Sequence, residues 1–124
     1  MNKFIKYWLP IILWIGVIFT LSSIPDLKTD LKEDFILRKI AHAMEFAILT
    51  LLLFRAIKFS GAGFKKAIVY AFILALFYAF SDEFHQLYVF GRQCSIKDVG
   101  IDSIGILIAL GLCYIKNRKG RFRN

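Results

Sequence analysis

Four apolar blocks, each close to the length of a membrane-spanning helix, divide the sequence. They lie at about residues 4–24, 36–57, 67–88 and 98–115. About 20 apolar residues in a helix are needed to cross the hydrocarbon core of a bilayer. Hydrophobic residues make up 58% of the chain and the mean hydropathy is +0.60, which is too apolar for an ordinary soluble domain. The sequence therefore predicts an all-α membrane protein, a compact bundle of four transmembrane helices forming a single domain over residues 1–124.

The first block follows Lys3 and Lys6, a feature that it shares with secretory signal peptides. No small-residue cleavage site comes after it, and the stretch from Ser22 to Pro25 is more typical of a helix end. We therefore expect the first block to be retained as a membrane span.

The basic residues are concentrated on one side of the predicted bundle. Eleven of the seventeen Lys and Arg residues lie at residues 3–6, 55–66 and 116–123, in stretches without Asp or Glu. Alternating helices place these stretches on one side, which the positive-inside rule makes cytoplasmic. All nine acidic residues and both histidines fall on the other side. We therefore predict that both termini are cytoplasmic, and that the net charge of +8 reflects topology and contact with anionic membrane lipids rather than nucleic-acid binding.

Several ionisable residues lie at the predicted outer ends of the spans. Such groups cost about 2.5–3.5 kcal/mol each at the centre of a membrane helix, so several at one level indicate a site. His42 and Glu45 are three residues apart and share one face of the second helix. Glu45 is about 15 Å from Arg55 along that helix, near half the depth of the hydrocarbon core.

The third helix ends with a second polar face. Asp82, His85 and Gln86 share this face by their spacing of three and four residues, whereas Glu83 and Phe84 are expected to point elsewhere.

The outer loop and the start of the fourth helix contribute three further polar residues. Arg92 can pair with acids or recognise a phosphate or carboxylate. Asp98 completes a capping box that begins at Ser95, and Asp102 lies one turn deeper than a cap requires. The predicted polar site comprises His42, Glu45, Asp82, His85, Gln86, Arg92, Asp98 and Asp102.

This set predicts an outward-facing polar cavity with Glu45 near its floor and Arg92 at its mouth. The alternative is a network in which the polar side chains hydrogen-bond one another between helices.

Chemical motifs are weak in this sequence. Ser81 and His85 are one turn apart, but no strand–turn–helix elbow surrounds Ser81, so we do not predict a nucleophile. The histidines and carboxylates are adequate metal ligands, but they lack an H-E-x-x-H or comparable spacing. Cys94 and Cys113 should lie at opposite membrane faces, which excludes a disulfide between them. We predict no metal and no cofactor.

The polar residues, taken in order, resemble the VanZ-like family of small bacterial membrane proteins. The likeness extends from the first helix to the end of the fourth. It is strongest in the run from Asp82 to Gln86, at Gly91 and Arg92, and at Asp98, Asp102 and Gly105, and the stretch from Lys39 to Phe46 is similar to the family's second-helix motif. Many members carry Asn at the position of Asp102, so the family pattern requires only a polar side chain there.

The resemblance implies a multi-pass protein of the bacterial cytoplasmic membrane. The founding member is associated with resistance to the glycopeptide teicoplanin, and the resemblance supplies no catalytic residues. We therefore expect a polar site that binds an amphiphile, an amphiphilic antibiotic or a lipid headgroup on the outer side and influences the envelope's response to antibiotics. Two alternatives stay open: an enzyme that uses acid–base chemistry on a lipid-linked or cell-wall substrate, and a structural protein that acts through a partner which the sequence does not name.

Overall fold

Four helices form the structure, which is a computed structural model describing residues 3–22, 32–86 and 96–122. The helices are α1 (Lys3–Ser22), α2 (Lys32–Phe59), α3 (Phe64–Gln86) and α4 (Ile96–Phe122). Each contains a stretch long and apolar enough to span a membrane. The predicted all-α architecture with four spans is confirmed. The largest difference from the predicted bounds is at α4, which continues beyond residue 115 through its basic segment because Lys and Arg are good helix formers.

The core of the bundle is formed by α2, α3 and α4, which all pack against one another. Within the described residues, α1 packs against α2 and α3 but not against α4. A row of alanines on α3, at positions 67, 71, 75 and 79, is fully buried. Such small side chains let neighbouring membrane helices approach closely.

The outer surface of the bundle is apolar. Large hydrophobic side chains are exposed on the helices, with 63% of Ile12, 71% of Phe77 and 58% of Leu107 accessible. Exposed apolar area of this extent is unfavourable in water and is expected where helices face lipid.

Two hydrogen bonds attach α1 to the core. The Trp14 indole donates from Nε1 to the backbone oxygen of Glu45 at 2.9 Å, and the Tyr78 hydroxyl donates to the backbone oxygen of Ile15 at 3.0 Å. Both lie in the middle of α1 and connect it to α2 and α3. They fix α1 beside the turn of α2 that carries Glu45.

The turn between α2 and α3 has the geometry of a helix C-cap. Gly61 has a φ of 102°, in the left-handed region that favours glycine. The Ala62 amide bonds to the Ile57 carbonyl and the Gly61 amide bonds to the Lys58 carbonyl. This is the Schellman pattern, which satisfies the last carbonyls of α2.

The α2–α4 contact is close at Gly105. A Cβ added to this glycine would overlap the backbone carbonyl of Ala43. Gly105 is buried, and Ala109, one turn further along α4, is also buried. The close approach brings the first membrane-embedded turn of α4 against the turn of α2 that carries His42.

Candidate functional site

The His42 imidazole lies among carboxylates from three helices. Its Nδ1 atom is 3.2 Å from Oε2 of Glu45 on α2. Its Nε2 atom is 3.4 Å from Oδ2 of Asp82 on α3 and 3.2 Å from Oδ1 of Asp102 on α4. The structure therefore brings together four of the residues that the sequence assigned to one site.

Helix geometry explains how these side chains meet. His42 and Glu45 share a face of α2 because they are three residues apart. Asp82 lies in the last turns of α3, and Asp102 lies early in α4 beside the close contact at Gly105. His42 is about 25 Å along α2 from its end at Phe59, so the site lies at the end of the bundle opposite the basic turns.

The site is buried but not closed. The side chains of Asp82 and Asp102 are 1% and 0% exposed, whereas those of His42 and Glu45 each keep 16%. The accessible part of the site is therefore formed by His42 and Glu45.

The two nitrogens of His42 have different surroundings. The Nδ1 atom makes a hydrogen bond with Glu45, which orients the ring. The Nε2 atom is buried and makes no hydrogen bond with any residue that the structure describes, although two carboxylate oxygens lie at ion-pair distance from it. Both side-chain oxygens of Asp102 are likewise buried and without a hydrogen bond within the described chain.

An aromatic layer underlies the site. Phe46 is fully buried, and its ring meets the His42 ring edge-on at a centroid distance of 5.3 Å. Tyr78 packs against Phe46 at 5.9 Å. This apolar floor separates the polar cluster from the rest of the membrane-spanning core and lowers the local dielectric constant, which strengthens electrostatic interactions within the cluster.

The expectation that Glu83 points away from the site is wrong. Glu83 is 3% exposed, and one of its carboxylate oxygens lies within 4.8 Å of ligand atoms of both His42 and Asp102. The row of buried alanines at spacing four continues through Ala79 to position 83, so this row could have identified Glu83. We refer to His42, Glu45, Asp82, Glu83 and Asp102 as the acidic cluster.

His85, predicted for the same face as Asp82, turns toward α1. Its ring stacks on Phe19 at a centroid distance of 4.3 Å and an interplanar angle of 28°. Phe19 is therefore a contact that the sequence-based site lacked.

Four residues named in the sequence-based predictions have side chains that the structure does not describe. Arg92 and Cys94 fall between α3 and α4, and Gln86 and Asp98 lie in the ends of these helices. Their places in the site stay predictions.

The Ser81 hydroxyl does not adopt the surroundings of a nucleophile. It is exposed and donates a hydrogen bond to the backbone carbonyl of Phe77 at 3.0 Å. This is the ordinary back-bonding of a serine within a helix.

A cavity of about 980 Å³ lies at the opposite, basic end of the bundle. Its lining includes Tyr7, Phe64, Arg55, Lys58 and Lys116. These are apolar and cationic surfaces of the kind that face anionic lipid headgroups. The acidic cluster is separate from this cavity and about 20 Å from it, measured along α2 from His42 to Arg55.

The acidic cluster has three chemical capacities. Its carboxylates accept hydrogen bonds, its histidine–carboxylate pairs can move a proton between oxygen and nitrogen atoms, and its mixed nitrogen and oxygen ligands can coordinate a cation. These capacities lie at a depth where ionisable residues are costly, which is typical of functional sites in membrane proteins.

Comparison with known proteins agrees with the architecture. Residues 4–117 match the family described as VanZ/LLP1. The chain is 32% identical over 114 residues to the uncharacterized membrane protein YwnJ of Bacillus subtilis (strain 168), a match that covers 83% of this chain and 73% of YwnJ. No solved structure matches the chain. With four membrane spans and this match over nearly its whole length, the chain is a multi-pass bacterial membrane protein and belongs to the VanZ/LLP1 family.

Proposed function

We propose that the acidic cluster binds the polar headgroup of an amphiphile at the outer side of the membrane, and that this binding alters the envelope's response to glycopeptide antibiotics. The observation that carries the proposal is the meeting of His42 with carboxylates from three helices. Burying such groups is costly, and a purely structural contact between membrane helices is made more cheaply by small apolar residues.

The location of the cluster supports a headgroup rather than a lipid tail. The cluster lies toward one end of the bundle, and its accessible side is formed by His42 and Glu45. Glu45 presents carboxylate oxygens, which accept hydrogen bonds from the hydroxyl or amine groups of a headgroup. The exposed apolar side chains of Met44 and Ile40 on the same helix provide a surface for the attached chains.

Antibiotic susceptibility tests this proposal. The chain is expressed in a Gram-positive strain that lacks a VanZ-like protein, and the minimal inhibitory concentration of teicoplanin is measured. Wild-type protein should raise this concentration, while Glu45→Gln and His42→Ala should return it to that of the empty vector. Ser81→Ala, which removes an exposed hydroxyl beside the cluster, is the matched control and should behave like wild type.

Protein level in the membrane is followed by immunoblot in the same strains. The proposal fails if alanine substitutions at Glu45, His85 and Arg92 all leave susceptibility unchanged at normal protein level. If the Glu45→Gln protein is instead less abundant in the membrane, but each molecule that remains protects as well as wild type does, the result would favour a structural network.

An enzyme is the second candidate, and the orientation of His42 favours it. Glu45 holds the imidazole through Nδ1 while Nε2 faces two further carboxylates, which is an arrangement suited to acid–base chemistry. Lipid and muropeptide profiles of the susceptibility strains distinguish the two candidates. A species that accumulates or disappears with wild-type protein but not with His42→Ala identifies an enzyme, and identical profiles exclude one acting on these substrates.

A further inference from the structure

We infer that the acidic cluster holds a divalent cation, with His42 Nε2 and carboxylate oxygens of Glu83 and Asp102 as its protein ligands. One ligand atom of each residue lies within 4.8 Å of the other two. The ligands come from α2, α3 and α4, so the cation would join the three helices of the core. This inference goes beyond the proposed function and does not require that a headgroup binds.

The orientation of the His42 ring determines which of its nitrogen atoms is available to a cation. With the Nδ1 proton donated to Glu45, the neutral imidazole presents a lone pair at Nε2. In that tautomer the lone pair lies 3.2 Å from Asp102 Oδ1, so two acceptors face each other, and either a proton on Nε2 or a bound cation would make the contact favourable. Within the described residues Nε2 meets two carboxylate oxygens at 3.4 and 3.2 Å without the geometry of a hydrogen bond, which leaves its direction open to a cation.

The Asp102 carboxylate is buried without a hydrogen-bond partner among the described residues. Its side chain is 0% exposed, and neither of its oxygens makes a hydrogen bond within the described part of the chain. Buried polar atoms nearly always have a partner, and one that lacks it calls for an explanation such as an ion. One of these oxygens, Oδ1, lies 3.2 Å from Nε2 of His42.

The distances between the candidate ligand atoms can be compared with those around a bound ion. Ligand atoms bound to one Zn²⁺ ion at about 2.0–2.2 Å in tetrahedral geometry are about 3.3–3.6 Å apart. The separation of 3.2 Å between His42 Nε2 and Asp102 Oδ1 is close to this value. The Glu83 oxygen lies within 4.8 Å of both other ligand atoms, so it would have to move closer to complete the coordination.

Glu45 completes the arrangement without touching the cation. A metal-bound histidine usually donates its other ring N–H to a carboxylate, which fixes the ring and raises its basicity. The hydrogen bond of 3.2 Å between His42 Nδ1 and Glu45 Oε2 provides this contact. Asp82, 3.4 Å from Nε2, adds negative charge beside the ion.

The ligand set indicates the class of cation. One imidazole nitrogen with carboxylate oxygens suits Zn²⁺ or Mn²⁺ better than Cu⁺, which prefers thiolates, or Ca²⁺, which prefers oxygen ligands alone. Three protein ligands leave coordination positions open, as in catalytic rather than structural zinc sites. Oxygen atoms of water or of a headgroup would fill them.

Direct binding tests the inference on the full-length protein in detergent. After treatment with chelator and desalting, Mn²⁺ is titrated and its free signal followed by electron paramagnetic resonance, with Zn²⁺ titrated by calorimetry. We expect one equivalent of either ion to bind. Asp102→Asn and Glu83→Gln should each weaken binding at least tenfold, and Glu45→Gln should weaken it about 10–100-fold through the histidine.

Two controls make the result decisive. Ser81→Ala removes an exposed hydroxyl that bonds to the Phe77 carbonyl, and it should bind the ion as wild type does. Pulsed electron paramagnetic resonance of Mn²⁺ in the wild-type protein should show coupling to an imidazole nitrogen, a readout that needs no variant to fold.

The inference is overturned if wild-type protein binds neither ion stoichiometrically, if the nitrogen coupling is absent, or if a folded His42→Ala protein binds as tightly as wild type. Because susceptibility is not a readout here, the outcome is separable from that of the proposed function. Stoichiometric binding with no antibiotic phenotype would support the cation and remove the proposed function.

Discussion

At the scale of single residues, His42 is the side chain on which the cluster depends. Its imidazole lies within 3.4 Å of carboxylate oxygens from α2, α3 and α4 together. Removing it takes the imidazole away from the buried carboxylates of both Asp82 and Asp102. Breaking a buried polar pair by deleting one partner is costly because the remaining charge stays desolvated.

A double-mutant cycle on His42 and Asp102 measures this dependence. His42→Ala, Asp102→Ala and the double variant are unfolded reversibly in mixed micelles, and their free energies of unfolding are compared. We expect a coupling energy of about 1–3 kcal/mol, since the two side chains are in contact. A cycle that pairs His42→Ala with Ser81→Ala serves as control and should be additive; additivity in the His42–Asp102 cycle would contradict the contact.

At the scale of helices, the crossing of α2 and α4 positions the site. Gly105 lets the backbone of α4 approach Ala43, next to His42, and Asp102 lies three residues before this contact on nearly the same face of α4. A side chain at position 105 would push the two helices apart and separate Asp102 from His42.

Gly105→Ala tests this role. The added methyl group would overlap the Ala43 carbonyl, and overpacking of this kind costs about 1–3 kcal/mol. Gly111→Ala is the matched control on the same helix, because nothing lies within 4 Å of its added Cβ, and it should be neutral or stabilise by up to about 1 kcal/mol. The thermal midpoint of each variant in detergent gives the comparison, and equal midpoints would show that α4 is free to shift.

The number and approximate position of the membrane spans were predictable from sequence because a bilayer imposes long apolar blocks, whereas side-chain direction was only partly predictable. The spacing of His42 and Glu45 predicted their shared face, which the structure confirms. The prediction that Glu83 points away from the site was wrong because it assigned the polar face of α3 from Asp82 and His85. In the structure the buried face of α3 includes both Asp82 and Glu83, in line with Ala79 one turn earlier. The bond from Trp14 to the Glu45 backbone depends on how α1 docks on α2, which no local pattern specifies.

At the scale of the whole molecule, polarity divides the bundle into two ends. The acidic cluster lies at one end, while Arg55, Lys58 and Lys116 line the cavity at the other. The concentration of Lys and Arg at one end of the bundle favours an orientation in which that end stays in the cytoplasm. The orientation decides whether the acidic cluster meets the outer leaflet, where a glycopeptide acts, or the inner one.

Cysteine labelling in intact cells measures the orientation. In Cys113→Ser, the remaining Cys94 belongs to the loop that we predict to be outside, so a membrane-impermeant maleimide should label it without permeabilisation. In Cys94→Ser/Cys113→Ser/Lys119→Cys, the new thiol lies at the basic end of α4 and should react only after the membrane is opened. The reversed pattern would place the acidic cluster on the cytoplasmic side. A headgroup bound there would belong to the inner leaflet, and the cation would have to be supplied from the cytoplasm.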